Sequence, residues 1–293
     1  MSIFKGSCVA LVTPFDENGI NFKELERLIE WHIENKTDAI LVCGTTGEAS
    51  TMTLEERKSV IKFTVDKVNK RIPVLAGTGS NNTQASIDMS IWAEKTGVDM
   101  LLVITPYYNK TSNKGLYEHF KAINDAVKTP IMLYNVPSRT GMNITADMLL
   151  KLSKLNNITA IKEASGNFSQ IAEMAALCGN KLDIYSGNDD QIIPLLSLGG
   201  AGVVSVLANV IPKETHEMCE LFFNRKIQEA CEMQLIYLHL INSLFMETNP
   251  IPVKTAMNLI GFNCGNLRLP LCNMDDNNLK KLKQTLLEYN LTK

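Results

Sequence analysis

The sequence predicts an α/β protein, a (β/α)8 barrel of the TIM type with a helical extension at its C-terminal end. Three observations carry this expectation. Eight short apolar runs recur along the first two thirds of the 293 residues, and segments with helical spacing separate them. From about residue 225 the strand-like runs stop.

The apolar runs are Cys8–Thr13, Ala39–Cys43, Pro73–Gly77, Met100–Thr105, Pro130–Asn135, Thr159–Lys162, Leu182–Ser186 and Gly202–Leu207. They are rich in Val, Ile and Leu and lack strict alternation, as strands buried on both faces require. Between them, Phe22, Leu25, Leu28, Ile29 and Ile33 recur at helical spacing. A second helix begins at Thr53, with Glu56 three residues on as a capping box, and runs through Val60, Ile61, Phe63 and Val65. Asn82–Lys95, Lys114–Val127, Thr145–Leu155 and Phe168–Leu177 repeat the pattern. Strands that alternate with helices are parallel, joined by crossovers. Eight is the number that closes on a filled interior. An open doubly wound sheet is the alternative, but the first βα turn lacks a GxGxxG fingerprint. Residues 1–224 thus form the barrel and 225–293 a helical C-terminal domain. Its helices are Lys226–Phe245, Ile251–Ile260 and Asp276–Tyr289, with a Pro/Asn/Gly-rich patch from Gly261 to Pro270.

Hydrophobic residues at 45% and charged residues at 20% give the balance of a soluble globular chain. The net charge is -2 and no run of like charges occurs, which argues against a nucleic-acid or membrane-surface partner. No apolar stretch approaches the roughly 18–20 residues that span a bilayer. The short run Val9–Val12 ends at Pro14 and acidic residues, unlike a secretory signal, so a cytoplasmic location is expected. The seven cysteines include no CxxC pair and read as reduced, mostly buried thiols. The four histidines show no ligand spacing. Neither a metal nor another cofactor is expected.

In a parallel barrel the chemistry gathers at the C-terminal ends of the strands. Lys162 follows Thr159-Ala160-Ile161 in an apolar strand, where an ammonium is costly unless paired or neutral. Glu163 points to the opposite face and is no obvious partner. A desolvated amine keeps a neutral, nucleophilic fraction that can form an imine with a ketone; otherwise Lys162 snorkels to solvent. Tyr134 ends the neighbouring strand and either exchanges protons there or packs in the barrel. Thr45 and Thr46, flanked by Gly44 and Gly47, offer hydroxyls and backbone N–H groups for a carboxylate, or serve turn geometry alone. Arg139 either clamps a carboxylate or lies on the surface. Tyr107 and Tyr108 put two rings on a loop, for packing or for a partner. The convergence of these groups on one barrel face favours an aldolase-type site for a keto acid.

The segments GTTGE at 44–48, TPYYN at 105–109, YNVPSRTG at 134–141, IKEASGN at 161–167 and SGND at 186–189 resemble the 4-hydroxy-tetrahydrodipicolinate synthase family of pyruvate-dependent lyases. The similarity runs along essentially the whole chain. It implies that Lys162 forms an imine with pyruvate, whose enamine attacks L-aspartate 4-semialdehyde, and that cyclisation follows. Tyr134 would exchange protons through Thr45 and through Tyr108, the latter reaching in from a neighbouring subunit. Thr46, Val204 and Gly187 would bind pyruvate, and Arg139 the carboxylate of the semialdehyde. The resemblance also implies a homotetramer built as a dimer of dimers. Arg139 weighs against the related N-acetylneuraminate and 2-keto-3-deoxysugar acid lyases, the alternative within the superfamily. A non-catalytic keto-acid-binding barrel would be expected to lack Lys162 or Tyr134. Lysine-inhibited relatives carry polar residues around positions 54, 57 and 85. Here Leu54, Arg57 and Ala85 stand there while Asn81 and Tyr107 are retained, so weak or absent feedback inhibition by lysine is expected.

Overall fold

A computed structural model describes residues 2–179 and 181–292. Eight parallel strands close into a barrel, as the sequence predicts. In chain order they are β1 (Gly6–Ala10), β4 (Ala39–Val42), β5 (Val74–Gly77), β6 (Met100–Ile104), β7 (Ile131–Asn135), β8 (Ile158–Glu163), β9 (Asp183–Ser186) and β10 (Gly202–Ser205). β10 closes on β1 through the pairs Gly6–Gly202 to Val9–Ser205. Two further residue pairs, β2 (Phe15–Asp16) and β3 (Gly19–Ile20), form an antiparallel hairpin after β1.

Strand alternation sorts the side chains into two shells. Cys8, Leu41, Leu75, Leu102, Met132, Tyr134, Ala160, Tyr185 and Val204 fill the barrel interior. Phe4 and Tyr185 stack 4.4 Å apart, and the Tyr185 hydroxyl donates to the Phe4 carbonyl at 2.6 Å. The outward residues, such as Val9, Ile40, Val103, Leu133 and Ile161, pack against the helices. Between β7 and β8 the register shifts by one residue: Ile131 faces Ile158, but Met132 faces Ala160. Thr159 is the extra residue of this bulge.

The helices are α1 (Phe22–Glu34), α2 (Leu54–Val68), α3 (Thr83–Thr96), α4 (Asn113–Ala126), α5 (Pro137–Thr140), α6 (Ala146–Leu152), α7 (Phe168–Cys178), α8 (Ile192–Ser197) and α9 (Pro212–Phe223). The capping box of α2 is present as expected, with the Glu56 N–H donating to Thr53 Oγ1 at 3.2 Å and the Thr53 N–H to Glu56 Oε2 at 2.8 Å. Beyond residue 224 lie α10 (Ile227–Ile236), α11 (Leu238–Ser243), α12 (Ile251–Leu259) and α13 (Asp276–Glu288). Leu240, Leu244, Val253, Ala256 and Met257 share one buried cluster with Val9 and Leu11, so the extension and the barrel have a common core.

Two expectations need correction. The stretch Lys226–Phe245 is two helices, α10 and α11, parted at Tyr237, which stacks on Tyr289 at 5.6 Å. β1 starts two residues early, at Gly6, because pairing with β10 and not apolar character fixes its start. All seven cysteines are free, five of them buried. Among the described residues no helix is long and apolar enough to cross a membrane, and no cluster of His, Cys, Asp or Glu has the geometry to hold a metal.

His32 in α1 is wholly buried, and burial lowers its pKa from 6.5 to about 3. The folded chain therefore keeps a neutral imidazole where the unfolded chain is protonated, so stability falls as pH drops below 6.5 toward 3. His216, raised by its hydrogen bond to Asp38 at 2.9 Å, contributes the opposite slope: stability present below 6.5 and lost as pH rises through its folded value. Burial of His32 in its neutral form costs about 2 kcal/mol of stability at pH 5. We expect urea unfolding of His32→Gln at pH 7 and pH 5 to show a pH difference smaller than wild type by that amount. An unchanged difference would place the titration elsewhere.

Candidate active site

The C-terminal ends of the barrel strands collect most of the residues singled out by the sequence. Lys162 and Tyr134 are direct register partners across β8 and β7, so both point into the barrel. Lys162 is 6% exposed, and its Nζ lies 4.5 Å from the centre of the Tyr134 ring. Neighbouring Glu163 faces the other way. Its Oε2 accepts from Asn135 Nδ2 at 2.8 Å and its Oε1 from the Ser165 N–H at 2.6 Å. Burial nevertheless raises the Glu163 pKa above the usual carboxylate value. This acid ties the loop after β8 to β7 and leaves the lysine without a counter-ion on its own strand.

Asp189 is buried behind the site. Burial raises its pKa, although its Oδ2 accepts the N–H groups of Val206 and Leu207 at 3.0 and 2.9 Å. The turn after β4 carries Thr45 and Thr46. The Thr13 hydroxyl donates to the Gly47 carbonyl at 2.7 Å, and the Glu48 N–H to the Thr45 carbonyl at 3.0 Å. Thr46 Oγ1 accepts from Asn249 Nδ2 at 3.1 Å.

A cavity of about 210 Å³ brings together Thr45, Thr46, Tyr134, Arg139, Lys162 and Gly187. Two expected members lie outside it. Val204 is fully buried in the interior shell with Cys8 and Tyr185, and Val206, one strand period further on, lines the cavity instead. Tyr108 is 92% exposed and sits at φ 69°, a left-handed backbone that a tyrosine seldom adopts. Its neighbour Tyr107 lines an adjoining cavity of about 240 Å³ that shares Thr45 and Tyr134 and also contains Arg57. Arg57 Nη2 donates to the Gly77 carbonyl at 2.8 Å, and Asn81 Nδ2 to the Tyr107 carbonyl at 3.2 Å.

Sequence reasoning missed Asn249, which lines the cavity from the turn before α12. Its carbonyl accepts from Arg139 Nη2 at 3.0 Å, so one residue holds both the arginine and Thr46. The only hint was the polar Thr248-Asn249-Pro250 break between two apolar helices. Asn188, from the SGND segment, also lines the cavity, as does Phe245, which the sequence did not point to. The arrangement places a buried primary amine beside a phenol, with hydroxyl and guanidinium donors on either side. That set suits imine chemistry on a small ketone bearing a carboxylate.

Comparison with known proteins shows the family. The sequence profile described as the Dihydrodipicolinate synthetase family matches residues 3–289. A 4-hydroxy-tetrahydrodipicolinate synthase of Clostridium perfringens is 69% identical over 291 residues, covering 99% of this chain and 100% of that protein. One from Clostridium novyi is 68% identical over 292 residues, covering 100% and 99%. The crystal structure of dihydrodipicolinate synthase from Aquifex aeolicus superposes with a TM-score of 0.97 at 44% identity, covering 98% of this chain and 99% of that one.

Gly187 tests how tightly the lysine is packed. A Cβ there would lie 2.7 Å from the Ala164 Cβ and 3.1 Å from Lys162 Cε. Such overpacking costs about 1–3 kcal/mol. Gly187→Ala is expected to slow borohydride trapping of a 2-oxo acid at Lys162 by about ten-fold or more while circular dichroism stays native. Trapping at the wild-type rate would show that Lys162 has room to spare.

Proposed function

The chain belongs to the dihydrodipicolinate synthetase family, and we propose that it works as a 4-hydroxy-tetrahydrodipicolinate synthase, a lyase that condenses pyruvate with L-aspartate 4-semialdehyde. The observation that carries this reading is the buried, in-register pair Lys162–Tyr134 in one cavity with Thr45, Thr46 and Arg139. The Lys162 amine adds to the pyruvate carbonyl, and loss of water gives the imine. Removal of a methyl proton gives the enamine, whose carbon attacks the aldehyde. The semialdehyde's own amine then closes the ring on the former carbonyl carbon and releases Lys162.

We assign Tyr134 and Thr45 to proton transfer at the carbinolamine and at the new hydroxyl. The N–H groups of Thr45 and Thr46 hold the pyruvate carboxylate, with Gly187 leaving space beside the imine. Val206 supplies the apolar wall, in place of Val204. Arg139 binds the carboxylate of the semialdehyde, which separates this substrate from the sugar acids of the related lyases. Tyr108, exposed on a strained loop beside the Thr45–Tyr134 cavity, suits completion of a neighbour's site in a dimer. A homotetramer formed from two such dimers, working in the cytoplasm, is the assembly we propose.

Pyruvate with borohydride should add covalent mass at Lys162 and abolish activity, and Lys162→Ala should take up none. Wild-type enzyme that cannot be trapped would end the imine mechanism. Arg139→Ala should raise KM for the semialdehyde about 10–100-fold, the scale of a charge-assisted hydrogen bond of about 1.5–3 kcal/mol. Its KM for pyruvate should barely move. A shift in the pyruvate KM alone would reverse the assignment.

Leu54 is exposed, Arg57 points a cation into the adjoining cavity, and Ala85 offers no acceptor. Initial rates should therefore be insensitive to lysine in the sub-millimolar range. Half-inhibition within that range would contradict the expectation.

A further inference from the structure

The turn that carries Thr45 and Thr46 is fastened from outside the barrel. Glu48 closes it in the left-handed region at φ 54° and is 1% exposed. Its Oε1 accepts from Lys254 Nζ at 2.7 Å, and its Oε2 from the Arg268 N–H at 3.1 Å. Lys254, on α12 and 1% exposed, also donates to the Asn266 carbonyl at 3.0 Å and lies 4.0 Å from the centre of the Phe15 ring. Among the described residues this is the one ion pair in which both side chains are fully buried. Asn249, at the head of the same helix, holds Thr46. The stretch 249–254 thus grips the turn at two points.

Stability gives little reason for such a pair. The loss of hydration on burying two charges roughly offsets their attraction, and apolar side chains of similar volume often fold as well or better. What an apolar pair cannot supply is direction. The ammonium is fixed by two acceptors, Glu48 and the Asn266 carbonyl, and the carboxylate by two donors, Lys254 and the Arg268 N–H.

We infer that Glu48 and Lys254 are positioning residues, which hold the Thr45–Thr46 turn at the correct height and angle above Lys162. This rests on the proposed pyruvate chemistry. Neither residue lines the cavity that holds Lys162, so both act through the turn. The kinetic signature is selective. Pyruvate binding and the Thr45 proton relay depend on the turn, whereas Arg139 is held by the Asn249 backbone and not by the ion pair. A displacement of about 1 Å at a reacting group can cost up to about a hundred-fold in rate.

The test is the double variant Glu48→Gln/Lys254→Met, which removes both charges together. We expect it to stay folded, with kcat/KM for pyruvate at least about ten-fold lower and KM for the semialdehyde within about two-fold of wild type. A folded double variant with wild-type kcat/KM for pyruvate would overturn the inference. Should it not fold, Glu48→Asp, which keeps the charge and withdraws the carboxylate by one methylene, gives the answer. Assayed well below its melting temperature, it should show the same selective loss for pyruvate. Lowered stability with unchanged constants for both substrates would make the pair purely structural and overturn the inference. Borohydride trapping of wild type in the same experiment keeps the two readings apart, because its failure would strike the imine mechanism and not the clamp.

Discussion

One extra residue in β8 sets the register on which the site depends. Ile158 faces Ile131, and after the Thr159 bulge Ala160 faces Met132, Lys162 faces Tyr134 and Glu163 faces Asn135. Side chains alternate with a period of two, so a slip of one residue exchanges the two faces of a strand. Without the bulge Tyr134 would stand opposite Ile161, and either the amine or the phenol would be turned toward the helices. Adjacent β7–β8 pairing then holds the Lys162 amine and the Tyr134 phenol together with no loop involved. Both sit on strands that are hydrogen-bonded to a neighbour on either side.

The groups we propose to bind the substrate carboxylates are arranged differently. Thr45, Thr46 and Arg139 lie on turns, and turns need external support to keep one conformation. Here the segment before α12 provides it. Asn249 binds Thr46 through its side chain and Arg139 through its carbonyl, and Lys254 closes on Glu48. The helices after residue 224 therefore complete the site as well as covering the barrel. The common buried cluster that joins Leu240, Val253 and Met257 to Val9 is the mechanical basis for that support.

How much of this was legible in the sequence depended on the range of the interaction. The eight strands were visible because burial on both faces writes a dense Val/Ile/Leu run, and α2 because its Thr53–Glu56 box is local. The hairpin Phe15–Asp16 with Gly19–Ile20 was not visible, since two-residue strands carry no periodicity. The break at Tyr237 carries no local signal such as a Pro or Gly, and its ring packs on Tyr289, the C-cap of α13, 52 positions away. Lys162, Tyr134, Thr45, Thr46 and Arg139 were legible as polar groups at or just after strand ends, and Gly187 through the SGND segment at the end of β9. Val206 was not, because the choice between it and Val204 is a matter of how far the strand rises before it leaves the interior. Lys254 was out of reach altogether and Asn249 showed only as a break between helices, for their partners lie 206 and 203 residues away.

These long separations bear on the order in which the protein can be made. The barrel cannot close until β10 reaches β1, a pairing of Gly202 with Gly6. Lys254 follows the end of β8 by roughly ninety residues, which at cellular synthesis rates means several seconds of chain growth. Throughout that interval Glu48 has no ammonium to meet, and until β10 is made the open barrel exposes its apolar strands. A growing chain is therefore most exposed to aggregation before β10 is added, and the turn that carries Thr45 and Thr46 is fastened only about fifty residues later, once Lys254 has been made.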